Sequence, residues 1–308
     1  MDPPTDVLAL FGPTAAGKSA LAHAAARAVD AEIVVADPFQ RYRGLEIAAD
    51  APSAHERAEV PYHFVGDLAL TDASSAGEFA VAAHARIDDI RARGRAVVVT
   101  GGTGLYLRAA LGELGFPPTV EPETRAWAEA LVAADRADAA AELARRDPGA
   151  AARVDVGNPR RLARALELAA SPAGDDRPTG RLWDESMRIP TWLVVVSRPR
   201  EVLDRLIHVR VLRELDDGLV AELERALDTP GVSREALQII GAREVSEVRA
   251  AGISTDELAQ LLAARTRRLA RRQLAWIRRW PHAHVLEVGE RAAPDALREL
   301  LESWRRSA

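Results

Sequence analysis

Apolar residues run along this chain in two rhythms. Short unbroken runs occur at Val7 to Phe11, within Glu32 to Ala36, at Ala96 to Val99 and at Leu193 to Val196. Runs of this length, rich in β-branched residues, predict strands buried on both faces. Between them the apolar positions recur every three or four residues, the helical period. Ser19 to Val29 is an alanine-rich helix candidate. Ala76 to Arg93 carries Phe79, Ala83, Ile87 and Ile90 at helical spacing, and Gly94 ends it. Leu105 to Leu111 is a third helix candidate, and from Arg200 onward the chain reads as mostly helical. Strands that alternate with helical crossovers predict an α/β fold with a parallel sheet flanked by helices.

The alternation breaks at Gly115-Phe116-Pro117-Pro118. Residues 119–170 are helical in composition, with Glu123 to Ala144 and Pro159 to Ala170 the best segments. Ser171 to Gly180, with two prolines and two glycines, predicts a loop before the sheet resumes. The expected organisation is therefore a core of residues 1–116 and 190–308 with a helical insertion domain, 117–189. No internal repeat is visible.

The first strand and first helix are joined by Gly12-Pro13-Thr14-Ala15-Ala16-Gly17-Lys18-Ser19, the P-loop pattern G-x-x-x-x-G-K-[ST]. The strand–loop–helix context predicts a P-loop NTPase-like sheet. Glycines let backbone N–H groups turn onto a phosphate, and the helix N-terminus adds partial positive charge. Gly12, Thr14, Ala15, Ala16, Gly17, Lys18 and Ser19 are the expected phosphate-binding residues. The Ser19 hydroxyl is the expected Mg²⁺ ligand. Lys18 is the only lysine among 41 basic residues, so arginine serves everywhere else. A thin ammonium stem fits inside a phosphate-wrapped loop, and a planar guanidinium does not.

Ligands of parallel sheets sit beyond the strand C-termini. The P-loop, Asp37 and Gly101-Gly102-Thr103-Gly104 all follow strand candidates, so they are expected to converge. Asp37 has two readings. It either caps the turn at Pro38 or serves the site, where a carboxylate takes a proton or orders a metal-bound water. The stretch Leu261 to Trp280 holds Arg265, Arg267, Arg268, Arg271, Arg272, Arg278 and Arg279, and no acid. At about 100° per residue these cover half the helix circumference, opposite Leu262, Leu269, Trp276, Ile277 and Trp280. Such an arc either recognises phosphates or pairs with acidic helices nearby. Thr266 and Gln273 fall among the buried positions and either satisfy each other or point into the site.

Composition narrows the class. At 48% hydrophobic and 28% charged, the 308 residues can bury a sizeable core as one large or two modest domains. Cysteine is absent, which excludes disulfides and thiolate metal sites. No apolar run is long enough for a bilayer and Met1-Asp2-Pro3-Pro4 is unlike a signal peptide, so a cytoplasmic protein with no membrane partner is expected. A formal net charge of −5 gives no global pull toward nucleic acid, so any RNA site must be a local patch.

Five segments together resemble the tRNA dimethylallyltransferase (tRNA isopentenyltransferase) family. They are Gly12 to Ser19, Asp37 with Gln40 and Tyr42-Arg43-Gly44, Gly101 to Tyr106, Arg164 to Glu167, and Thr266-Arg267-Arg268 to Gln273 with Trp276. The resemblance implies transfer of a dimethylallyl group from its diphosphate to N6 of an adenosine next to the tRNA anticodon. It implies that the P-loop, elsewhere a nucleotide- or ATP-binding element, holds the donor's diphosphate with Mg²⁺. Asp37 would accept the N6 proton, Ser19 and Thr103 would line the cleft, and Arg210 would complete the diphosphate clamp. Gln40, Tyr42, Arg43, Arg160, Arg161, Arg164, Arg243, Arg267, Arg271 and Gln273 would meet the acceptor. Residues 117–189 would grip the anticodon stem-loop, and a monomer is expected. The chain departs from the family pattern at Pro38, at Ala48-Ala49-Asp50-Ala51, at Leu206 and at Ala242. These fall mainly on the acceptor side, which keeps a second reading open: the same transfer to a free adenine nucleotide or other small molecule. A third reading, an ATP-dependent kinase, meets the obstacle that Val97 to Val99 leads into Thr100 rather than an acid.

Overall fold

A computed structural model describes residues 7–116, 120–171, 187–251 and 254–307. Six strands form one sheet: β1 (Val7–Phe11), β2 (Glu32–Val35), β3 (Tyr62–His63), β4 (Val97–Gly101), β5 (Thr191–Ser197) and β6 (His284–Glu287). Their order is β3-β2-β4-β1-β5-β6 and every pairing is parallel. β1 lies in the middle, with Leu10 opposite Thr100 of β4 and Val194 of β5. The four apolar runs of the sequence are the four inner strands. The edge strands β3 and β6 carried no such signal, because an edge is short and meets solvent. Val285 of β6 is 49% exposed.

The helices are α1 (Lys18–Val29), α2 (Ala54–Glu59), α3 (Ala76–Ala92), α4 (Gly104–Leu111), α5 (Pro122–Ala134), α6 (Arg136–Arg146), α7 (Pro148–Arg153), α8 (Pro159–Ala170), α9 (Arg200–Asp216), α10 (Leu219–Leu227), α11 (Ala242–Ala251), α12 (Thr255–Ile277) and α13 (Leu297–Ser307). Alternate strand residues Leu8, Leu10, Ile33, Val35, Val98, Val194 and Val196 pack one face of the sheet against Leu21, Ala22 and Ala25 of α1 and Leu300 and Trp304 of α13. A second core, around Ile207, Val211, Leu223, Leu258 and Leu262, binds α9, α10, α11 and α12 to the segment Tyr42–Leu45.

The chain divides into two compact units, Met1–Leu114 with Leu182–Ala308, and Gly115–Arg181. The sequence placed the return to the core at residue 190. In the structure Arg188 is already tied to the first unit, its N–H donating to Leu111 O and its guanidinium pairing with Asp88. The smaller unit holds α5 to α8 around Ala128, Val132, Ala139, Leu143, Leu162 and Leu166. The expected helix Glu123 to Ala144 is two helices. Asp135 adopts an extended conformation and caps α6, its carboxylate accepting from the N–H groups of Ala137 and Asp138. Residues 172–180 of the expected loop and 117–119 at the break lie outside the described residues.

Away from the strand C-termini, a charge cluster ties the start of β2 to α3 and β3. Glu32, buried, accepts from Arg93 Nη2 at 2.9 Å, from Arg95 Nη1 at 3.0 Å and meets His63 Nε2 at 2.7 Å. The Arg93 hydrogen bond holds its carboxyl down at about 2. The ordinary unfolded value lies near 4.3. The cluster's contribution to stability is therefore complete above the unfolded value and disappears as pH falls toward about 2. Glu32→Gln is expected to flatten that acid limb in thermal melts between about pH 5 and 2 and to lower the melting temperature at neutral pH.

Candidate active site

The P-loop closes over the end of β1. Gly17 sits at φ +91° in the left-handed region, where a Cβ would stand 2.4 Å from that of Ala293. Ala15 also has positive φ, 64°, a strained conformation for a non-glycine residue that is typical of functional loops. The loop's amides divide into two groups. Thr14 N–H donates to Gln273 Oε1 at 2.8 Å, and Ala16 N–H to Pro13 O at 3.2 Å. The N–H groups of Ala15, Gly17, Lys18 and Ser19 have no acceptor among the described residues. Those four form the anion cradle.

Lys18 and Asp37 line one pocket with Arg210 of α9. Burial and the neighbouring Arg210 guanidinium push the Lys18 ammonium down to about 8, against the pull of Asp37 and Asp50. Burial raises the Asp37 carboxyl above the usual aspartate range, opposed by the Phe39 N–H that donates to its Oδ1 at 2.9 Å. Asp37 thus caps the turn through one oxygen and also lines the pocket. Arg210 Nη1 donates to Thr14 Oγ1 at 2.9 Å and lies 3.1 Å from Asp50 as an ion pair, while its Nε donates to Glu214 at 2.6 Å. Burial works against the Arg210 charge, but Asp50 and Glu214 outweigh it and raise its pKa. Thr14 is therefore a hub: its hydroxyl holds α9 and its amide holds α12.

Two glycines of the Gly101–Gly104 run exist because α12 comes so close. A Cβ on Gly102 would lie 2.4 Å from Gln273 Nε2, and one on Gly104 would lie 2.3 Å from the Trp276 ring. Gly104→Ala is expected to destabilise the protein by about 1–3 kcal/mol through overpacking, read as a lowered melting temperature with reduced activity. Val211, Leu219, Ile239, Leu262 and Leu269 give the pocket an apolar side, and Gln40, Asp50, Glu214, Thr266 and Gln273 line it too.

The other expected residues fall into three groups. Gly12 packs against Val196 O rather than lining the pocket, and Thr103 stands at the start of α4 outside the lining residues, its side chain making no capping bond. Tyr42 is 1% exposed with its hydroxyl donating to Asp72 O, so it supports the loop and does not meet an acceptor. Gln40 lines the pocket and donates to Ala49 O and Asp50 O, whereas Arg43 donates to Gly66 O. Gln273 sits on the P-loop, a donor-side position, where the sequence reading put it with the acceptor. Arg243 pairs with Glu247, and Arg164 with Glu167 in the smaller unit, where Arg160 and Arg161 begin α8. On α12, Arg265 pairs with Glu244, while Arg268, Arg271 and Arg272 are exposed and make no ion pair among the described residues. Arg267 is half-buried. The helix ends at Ile277, so Arg278 and Arg279 lie in the turn beyond it. Sequence reasoning missed Glu214 and treated Asp50 only as a departure. The i,i+4 spacing of Glu214 from Arg210 was the available signal.

Among the described residues no three His, Asp or Glu side chains gather as a metal cage. Ser19 lines the pocket, as does Thr100, whose buried hydroxyl has no hydrogen-bond partner. This donor set fits magnesium, which keeps its waters and rests on phosphate oxygens. It does not fit a metal caged by protein alone.

A P-loop at the end of the central strand, a lysine and an arginine beside its open amides, and a pocket that sets apolar side chains against the carboxylates of Asp37, Asp50 and Glu214 define a P-loop-type protein. Such an arrangement can take a phosphorylated ligand with an apolar part. The sequence matches the IPP transferase family over residues 40–280. It is 38% identical to a tRNA dimethylallyltransferase of Kineococcus radiotolerans, covering 97% of this chain and 96% of that one. It is 41% identical to one of Salinispora arenicola, covering 97% and 87%. Among solved structures, the tRNA isopentenylpyrophosphate transferase of Bacillus halodurans superposes with a TM-score of 0.69 at 25% identity, over 98% of each chain. A eukaryotic dimethylallyltransferase acting on tRNA shares the fold, with a TM-score of 0.76 at 20% identity over 98% of this chain and 76% of that one. The chain belongs to the IPP transferase family.

Proposed function

We propose that this protein transfers a dimethylallyl group from dimethylallyl diphosphate to N6 of the adenosine beside the tRNA anticodon. The observation that carries the reading is the pocket itself, where Lys18 and Ser19 of the P-loop, Asp37 and a set of apolar side chains share one space. A nucleoside triphosphate needs no such apolar set, and a hydrolytic P-loop needs an acid where β4 ends in Thr100 and Gly101. In the transfer, N6 forms a bond to the prenyl C1 as the C1–O bond breaks and its electron pair leaves with the diphosphate. Lys18, Arg210 and the cradle amides of Gly17, Lys18 and Ser19 stabilise the growing charge on that leaving group. Asp37 takes the N6 proton, a role its raised pKa suits. A magnesium ion held by Ser19 would neutralise part of the diphosphate charge. The exposed Arg268, Arg271 and Arg272 supply a local phosphate-binding patch on an acidic protein, the condition that the net charge set for RNA. The smaller unit would take the anticodon stem-loop, and the reading places the protein with tRNA in the cytoplasm as a monomer.

The test is incubation with labelled dimethylallyl diphosphate and, in parallel, bulk tRNA, AMP and ATP. Label in tRNA is the expected result. Label in AMP or ATP alone would make this a small-molecule prenyltransferase, and label in none would remove both readings.

A further inference from the structure

Arg198 follows β5 and has no carboxylate partner among the described residues. Its Nε donates to Ala16 O at 2.9 Å and its Nη1 to Gly289 O at 2.7 Å. Its Nη2 stands 3.5 Å from where a Cβ on Gly17 would be. A half-buried guanidinium is normally matched by an acid. Here two carbonyls stand in, one from the P-loop and one from the C-terminal segment, and its charged neighbour is another cation, Arg291. The same segment meets the loop a second time, where Ala293 leaves no room for a Cβ on Gly17.

We propose that Arg198 is a positioning residue for diphosphate binding, one that sets the Ala16–Gly17 peptide so that the Gly17 N–H faces the anion cradle. In a trans peptide the carbonyl and the following N–H point in opposite directions, and the chain has no cis bonds among its described residues. By drawing Ala16 O outward, Arg198 turns Gly17 N–H inward. Without it, the flexible left-handed glycine allows that peptide to rotate, and a carbonyl oxygen then faces the phosphate. The unmatched charge acts in the same direction, since the missing counter-ion arrives with the ligand. The C-terminal segment, Val288 to Trp304, thereby acquires a role in the site. Gly289 and Ala293 form the back of the P-loop, held by Leu300 and Trp304 in the core.

The inference rests on the P-loop being the diphosphate site, and the experiment separates the two. Titrating the full-length protein with inorganic pyrophosphate and Mg²⁺ comes first, and a wild type that does not bind sinks the functional reading. Given binding, Arg198→Met is expected to weaken pyrophosphate affinity by about tenfold or more, the usual scale for a charge-assisted bond. The donor KM should rise more than kcat falls. In amide NMR, the Gly17 signal should shift on pyrophosphate addition in the wild type and lose most of that shift in the variant. Arg198→Lys, which keeps the charge but not the two-carbonyl fork, should recover only part of the affinity, and it carries the test if the methionine variant does not fold. Wild-type affinity in Arg198→Met, or full recovery with lysine, would overturn the proposal.

Discussion

Lys18→Ala is expected to reduce transfer by about a thousandfold, the scale for losing a preorganised charge at a leaving group, with the fold intact. The side chain is half-buried in the pocket and contributes nothing to the apolar cores, so melting temperature should hardly move. Pyrophosphate affinity should fall with activity, because the same ammonium serves ground state and transition state. The pH profile gives a second check. In the free protein Lys18 titrates at about 8. A diphosphate binds the protonated form, so Lys18 itself adds no pH dependence well below that pH. Above it, each pH unit costs about tenfold as a proton must be taken up. Lys18→Ala should lose this alkaline limb. Unchanged transfer in the variant would put the diphosphate somewhere other than this loop.

Asp37→Asn is expected to lower the single-turnover rate by about 10²–10⁴-fold, the usual range for a general base, with a much smaller effect on pyrophosphate binding. The substitution is chosen because an amide oxygen can still accept from Phe39 N–H, which preserves the turn. In the wild type, burial keeps the Asp37 pKa high, so the rate should fall on the acid side at a higher pH than an ordinary aspartate would give. Parallel losses of rate and pyrophosphate affinity would mark the residue as part of the donor clamp instead.

The four inner strands were legible because a strand covered on both faces must be a short apolar run. α1 was legible from the P-loop before it, and α3 from the helical spacing of Phe79, Ala83, Ile87 and Ile90 with Gly94 at its end. β3 and β6 gave no such pattern. The split at Asp135 was written in the residue type, but the continuous helical composition around it concealed the cap. The structure brings Lys18, Asp37 and Arg210 to one pocket, the first two expected there from motif and strand position and the third from resemblance. Arg198 and Asp50 were not foreseen, because each acts through a contact between distant parts of the chain, such as Arg210 with Asp50, whereas Glu214 was missed although it lies one helical turn from Arg210. Gln273 was placed with the acceptor by resemblance, while its helix face showed that it is buried but not that it meets the P-loop.

The pocket collects Thr14 and Lys18 from near the beginning of the polypeptide and Gln273 from far along it, and the loop that Gly289 braces is finished later still. During synthesis the phosphate loop therefore leaves the ribosome long before its supports exist. A nascent chain interrupted ahead of β6 would own the signature motif yet lack its brace, and should be a poor competitor for the isoprenoid. On the proposed role of Arg198, donor capture waits until translation has passed Gly289 and Ala293.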